Sequence, residues 1–197
     1  MIDVIGTDAG APASLTQAQQ ILIRAAQHVA APRRLQPALR QWLGSSCPLL
    51  INSDDPRTLA ASLERIPEQE TVVVLASGDP LWFGIGRSLL ERLGVGRLRF
   101  HPAPTSLQLA FARIGRPWQD ADWVSLHGRD PEVLAAALQK RPSALAVLTD
   151  PQQGGADTVQ RILRSSGLEA CTQLWLCENL GHADERVRCV DPGCPLP

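Results

Sequence analysis

The sequence predicts an α/β protein of two domains, and three observations carry that reading. Short apolar, β-branched runs alternate with helix-patterned segments along the whole chain. The strongest run, residues 71–76, is apolar at nearly every position, as a strand buried on both faces must be. Glycine, proline, Ser/Thr and Asp gather in the strand-to-helix turns, where the carboxyl ends of parallel strands hold ligands. With 197 residues, 44% hydrophobic and 20% charged, the chain suffices for one or two packed cores.

Taken in order, residues 2–6 read as a first strand, followed by a loop over 7–13. Ser14-Leu15-Thr16-Gln17 fits a capping box, opening a helix that runs to about residue 31, where Pro32 ends it. Residues 49–51 read as a strand, and Asp55-Pro56 pairs an N-cap with proline at N1 for a helix to about residue 65. The run 71–76 is expected at the centre of a sheet. Ser77-Gly78-Asp79-Pro80 follows it, then a helix from about 81 to 93 ended by Gly94, a strand over 97–101, a proline-bracketed turn over 102–106 and a helix to about 114. Gly115-Arg116-Pro117 marks a boundary between domains 1–114 and 115–197. The second half repeats the grammar: strand 123–126, loop 127–130, a helix begun by Asp130-Pro131, strand 144–149, loop 150–156, helix 157–166 with Gly167 beyond it, and late strands 174–177 and 186–190. The tail 191–197 carries three prolines and reads as no central strand. Trp118 and Trp123 are expected as core or inter-domain anchors.

Charge and composition exclude several classes. Nineteen Lys plus Arg against twenty Asp plus Glu leave a net charge of −1, so no basic field exists to hold a nucleic acid. Lys140 is the one lysine among these cations, and the arginine excess reads either as codon habit or as planar forks suited to carboxylates. The chain opens without a basic n-region or apolar h-region, and apolar runs stop at about six residues, so a soluble, cytoplasmic protein without a membrane span is expected. Five cysteines without a C-x-x-C pair and four scattered histidines point to neither a disulfide framework nor a metal site.

The first loop lacks G-x-G-x-x-G spacing, and neither a G-K-[ST] triplet nor a G-x-S-x-G elbow occurs, which disfavours dinucleotide, P-loop and α/β-hydrolase chemistry. In Ser77-Gly78-Asp79-Pro80, glycine permits close backbone approach, the carboxylate can accept from a hydroxyl or ammonium, and proline stiffens the turn. The same residues also suit an ordinary turn whose Asp caps a helix. Thr105 and Ser106 can bond a cofactor or cap a helix. His127 and Arg129, in Ser125-Leu126-His127-Gly128-Arg129, can recognise carboxylates or sit in a solvated loop.

Together these segments resemble the tetrapyrrole (corrin/porphyrin) methylase family. The family-wide parts are the opening strand with its glycine loop (4–16), Gly78-Asp79-Pro80, and the turn Pro102 to Ser106. Residues 75–86, 111–115, Pro117-Trp118-Gln119-Asp120, 125–129, Val147-Leu148-Thr149-Asp150 and Glu178-Asn179-Leu180-Gly181 with Asp184-Glu185-Arg186 resemble the precorrin-6Y or cobalt-precorrin-7 C5-methyltransferase branch of cobalamin biosynthesis. The resemblance implies two α/β domains, each a mixed sheet flanked by helices, with a cofactor cleft between them and a homodimeric assembly. It implies S-adenosylmethionine as methyl donor, leaving S-adenosylhomocysteine, with cofactor contacts at Ala9, Ser77, Gly78, Asp79, Trp82, Thr105, Ser106, Leu148, Thr149 and Leu180. Ala9 stands where many relatives have proline in a G-x-G-P-G loop.

The implied reaction is C-methylation at C5 of a corrinoid precursor, precorrin-6B or cobalt-precorrin-7, driven mainly by alignment of the reacting atoms. His127 or Asp8 is expected to take up the released proton, and Arg113 and Arg129 to pair with substrate acetate and propionate groups. The length suggests C5 activity alone, with a separate C15-methylating decarboxylase as partner, and relatives continue into one more apolar strand. Two alternatives stand beside this reading: a methylase of the same fold acting on another acceptor, and a non-catalytic tetrapyrrole-binding subunit.

Overall fold

The computed structural model describes residues 1–197 except Ala9, Gln152, Gln153, Pro195 and Pro197. The chain divides into two compact units, the first formed by 1–106 with 181–183 and the second by 107–180 with 184–197. The cut between the units falls just after Ser106, the first residue of the helix over 106–114.

The first unit is a five-stranded sheet in the order β3-β2-β4-β1-β5, with β1 Ile2–Thr7, β2 His28–Ala31, β3 Leu49–Asn52, β4 Val72–Ser77 and β5 Leu98–His101. The strand expected at the centre, β4, is the middle one. Every pairing is parallel, so the mixed sheet expected for this domain is a purely parallel one. The reason is visible in the connections: each strand is followed by a helix that carries the chain back, which only parallel neighbours require. Helices α1 (Gln17–Ala25), α2 (Gln36–Leu43), α3 (Pro56–Glu64) and α4 (Gly86–Leu93) cover the sheet. Alternation along the strands divides the core into two layers. Ile5, Val73 and Leu75 pack with Ile23 of α1 and Leu39 and Leu43 of α2; Val4, Val72 and Val74 pack with Leu59 and Leu63 of α3 and Leu89 of α4. Each such side chain contributes about 1.5–3 kcal/mol on burial.

Three local expectations are corrected here. The first helix ends at Ala25, and His28–Ala31, read as its last turn, is strand β2. Val29, Ala30 and Ala31 are fully buried between β3 and β4, a tertiary placement that overrides the helical preference of alanine. The N-cap of α1 is Thr16 rather than Ser14: its hydroxyl accepts from the Gln19 amide and the Gln19 side chain returns to the Thr16 backbone. Residues 36–43, which carry no sequence expectation, form α2. The helix expected from residue 81 starts at Gly86, because Phe83 adopts φ +51° and the Gly86 amide donates to the Pro80 carbonyl at 2.8 Å, closing a turn before it.

The second unit contains α5 (Ser106–Ile114), the parallel pair β6 (Asp122–Ser125) and β7 (Leu145–Leu148), helices α6 (Glu132–Gln139) and α7 (Gly155–Ser165), and the antiparallel pair β8 (Leu174–Glu178) and β9 (Arg186–Val190). Here parallel and antiparallel pairings both occur, but as two separate two-stranded sheets rather than one mixed sheet. Its core is smaller, with Leu126, Leu134, Val159 and Ile162 packed against Val124, Leu138, Leu145 and Val147. Trp118 and Trp123 are not core residues; they are 43% and 50% exposed, since the alternation of β6 turns Trp123 away from Val124. Among the described residues, no helix is long and apolar enough to cross a membrane.

Candidate active site

At the carboxyl end of the first sheet, three turns close on one glycine. A β-carbon placed on Gly6 would lie 2.5 Å from the Gly78 carbonyl oxygen, 2.8 Å from Ala103 Cβ and 2.9 Å from Ala103 N. Glycine at this position therefore lets the loops after β1, β4 and β5 touch backbone to backbone. The Gly78 amide donates to the Thr7 carbonyl at 2.7 Å, and the buried Thr7 hydroxyl donates to the Ala76 carbonyl at 2.9 Å, pinning the first loop to the second. Gly78 has φ +64°, a left-handed conformation that turns the chain out of β4.

The polar groups expected here are brought together on this floor. Asp79 uses Oδ1 to accept from the Leu81 amide at 2.8 Å, and its Oδ2 has no hydrogen-bond partner among the described residues. Trp82 donates its amide to the Asp79 carbonyl at 3.2 Å and stands edge-on to Phe83, with ring centroids 4.9 Å apart. Thr105 is buried with its backbone against Gly78, and Ser106 opens α5. Asp8 Oδ1 accepts from the Gly10 amide at 2.9 Å and from the Ser14 hydroxyl, which folds this carboxylate into its own loop. Ala9 lies outside the described residues. Ser77 brings in a residue that the sequence reading missed: its hydroxyl accepts from Arg34 Nη2 at 2.5 Å.

In the second unit the strand ends of β6 and β7 gather His127, Arg129, Leu148 and Thr149. Asp150, which sequence reasoning passed over as the start of a loop, ties the two turns together. Its side chain is 7% exposed, its Oδ2 accepts from the Gly128 amide at 3.1 Å, and His127 Nδ1 lies 3.7 Å from the same oxygen. The His127 ring itself is 79% exposed. An Asp immediately after a buried strand and a Gly immediately after a His were the available signals. Arg113 and Leu180 lie elsewhere in this unit. Arg113 grips Glu185 with a two-pronged contact, Nε to Oε1 at 2.5 Å and Nη2 to Oε2 at 3.3 Å, and that carboxylate raises the guanidinium pKa further. Leu180 follows Asn179, whose φ is +51° and whose amide reaches the Asp184 carbonyl at 3.5 Å.

With this geometry, the chain matches the family described as tetrapyrrole (corrin/porphyrin) methylases over residues 1–191. It belongs to that family. It is 40% identical over 116 residues to a decarboxylating precorrin-6Y C(5,15)-methyltransferase of Sinorhizobium sp, covering 59% of this chain and 27% of that protein. Over 117 residues it is 31% identical to the cobalt-precorrin-7 C(5)-methyltransferase of Salmonella typhimurium, covering 59% of this chain and 55% of the relative. The match thus spans little more than half of these curated relatives at most. Among solved structures, uroporphyrin-III C-methyl transferase from Thermus thermophilus, complexed with S-adenosyl homocysteine, superposes with a TM-score of 0.69 at 23% identity, covering 97% of this chain and 88% of that one. That likeness shows the tetrapyrrole methylase fold.

Proposed function

We propose that the chain methylates C5 of a corrinoid precursor, precorrin-6B or cobalt-precorrin-7, with S-adenosylmethionine as donor. The observation that carries this reading is the 40% identity to a protein named for C5 and C15 methylation, together with the relative named for C5 methylation alone. In this reading it works as a cytoplasmic homodimer, with C15 methylation and decarboxylation left to a separate enzyme.

The strand ends of the first unit suit the donor. Gly6 lets the turns after β1, β4 and β5 pack closely together, and the Ser77 and Thr105 hydroxyls and the Asp79 carboxylate stand in these turns. Asp79 Oδ2 is available to accept from a hydroxyl, the Ser77 and Thr105 hydroxyls supply further polar contacts, and Trp82 walls the loop. S-adenosylmethionine, when bound, supplies a methyl group already activated by its sulfonium. The chain's part is to bind, orient and exclude water, an effect worth up to roughly 7–11 kcal/mol for well-aligned reactants. In the second unit, Leu148, Thr149 and Leu180 are the residues that the family resemblance assigns to the donor. His127, whose ring is largely exposed and whose Nδ1 lies 3.7 Å from Asp150, accepts the proton released after methylation. Asp8 is the other acceptor in this scheme. Arg129 pairs with a substrate carboxylate; Arg113 does so by exchanging Glu185 for it.

The test is mass spectrometry of precorrin-6B and cobalt-precorrin-7 incubated with the purified chain and S-adenosylmethionine. A gain of one methyl mass at C5 is expected from one of the two rings, and its loss in His127→Ala with S-adenosylhomocysteine binding retained supports the proton acceptor. S-adenosylhomocysteine binding without methyl gain on either ring overturns the substrate.

A further inference from the structure

Several arginines of the first unit face carboxylates. Arg33 lies 3.7 Å from Asp54, Arg92 2.7 Å from Glu64, Arg99 3.5 Å from Asp3 and Arg87 2.9 Å from Glu91. Arg34 is different. It sits in the turn Arg33–Leu35 that follows β2, is exposed, and has no carboxylate within 4.0 Å among the described residues. Its Nη2 reaches over to the carboxyl end of β4 and donates to the Ser77 hydroxyl at 2.5 Å. A hydroxyl is a neutral acceptor, so the charge stays uncompensated. The guanidinium carries five N–H donors, and Nε and Nη1 have no partner among the described residues.

The place is as telling as the missing partner. Parallel strands present ligands at this end. The helices that follow β1, β3, β4 and β5 begin here, and the partial positive charge of helix N-termini favours an anion. The loop that Ser77 opens also exposes Leu81 and Phe83, 56% and 45% accessible, so apolar surface lies in the same loop as the arginine's anchor. A ligand with an apolar ring and carboxylates at its rim matches both features.

We propose that Arg34, steadied by Ser77, anchors a peripheral carboxylate of the tetrapyrrole substrate. The inference deepens the proposed function and rests on it. Ser77 restrains one end of the fork, so that the remaining N–H groups meet the carboxylate in a fixed plane with little rotamer freedom left to lose. The same chemistry would suit the carboxylate of the methyl donor, and the experiment separates the two sources.

The affinity of the purified chain is measured for uroporphyrin III, which carries acetate and propionate groups, for a neutral water-soluble porphyrin, and for S-adenosylhomocysteine. Arg34→Gln is expected to weaken uroporphyrin III about tenfold or more, as loss of a charge-assisted pair does, and to leave the other two unchanged. Arg34→Lys is expected to restore part of the loss, and Ser77→Ala to produce a smaller one. Equal weakening of S-adenosylhomocysteine assigns Arg34 to the donor and overturns the proposal, as does equal weakening of the neutral porphyrin. Unchanged binding of uroporphyrin III by Arg34→Gln overturns the proposal alone. A wild-type chain that binds S-adenosylhomocysteine but not uroporphyrin III overturns the tetrapyrrole reading and the anchor with it.

Discussion

The two units fasten the ends of their parallel strands by different means. In the first, five strands lie side by side and the loops after β1, β4 and β5 meet through backbone atoms around Gly6. In the second, β6 pairs with β7, and the turns after them are tied by a buried side chain, Asp150 accepting from the Gly128 amide, beside a backbone bond from the Leu126 amide to the Leu148 carbonyl at 2.8 Å. A wide sheet with helices on both faces holds its loops by packing, so the contact needs first the absence of a side chain at Gly6, with the Thr7 hydroxyl as a supplement. A two-stranded ladder offers a narrower frame, and a buried carboxylate reinforces the connection.

The sharpest way to break this contrast is Gly6→Ala. The new methyl would meet backbone atoms of two loops at under 3 Å, and backbone cannot swing aside as a side chain can. We expect a loss of roughly 3 kcal/mol or more in thermal unfolding, together with loss of S-adenosylhomocysteine binding by titration calorimetry. Unchanged stability would show that the three loops are free to part. Asp150→Ala tests the other unit. It strips the Gly128 amide of its acceptor, and the expected cost is roughly 1–3 kcal/mol, with faster hydrogen exchange confined to the turns after β6 and β7. Exchange spreading evenly through the chain would contradict the local role of this carboxylate.

The smallest expected effect concerns pH. The Ser143 hydroxyl, helped by Arg116, holds the Asp120 carboxyl below its ordinary value. A carboxyl lowered on folding contributes stability above its unfolded pKa, about 4, and that contribution disappears as pH falls through the folded value. Asp120→Asn should therefore flatten the acid side of the unfolding-temperature profile slightly below about pH 4, without changing its slope near neutrality. An unaltered acid limb would show that this exposed group carries no measurable share.

Much of this architecture was legible because it follows from chemistry visible over a few residues. The buried run 71–76 announced the central strand, Asp55-Pro56 capped α3 as expected, and Gly78, Asp79, Thr105 and Ser106 lie in the turns beyond strand ends, where such turns place ligands. The misses share a cause. His28–Ala31 is a strand because neighbours 21 and 44 residues away in sequence bury it, and its alanines carry no local sign of that. The Trp82-Phe83-Gly84 turn continued an apolar pattern that reads as helix, yet a β-carbon on Gly84 would meet the Pro80 carbonyl at 2.7 Å. Asp150 and Arg34 matter through partners 22 and 43 residues away, and sequence spacing says nothing about such meetings.

The position of β1 has a consequence for how the chain reaches this state. Its two neighbours are β4 and β5, so this strand is flanked on both sides by strands made much later. At synthesis rates of roughly 5–20 residues per second, Ile2–Thr7 waits several seconds for Val72–Ser77 and longer for Leu98–His101. During that interval an apolar strand with both edges bare is exposed to whatever chain lies nearby. Helices α1 to α3, which need no distant partner to begin forming, are the material available to shield it, and the rate of sheet closure is set by the long loops between β1 and its neighbours.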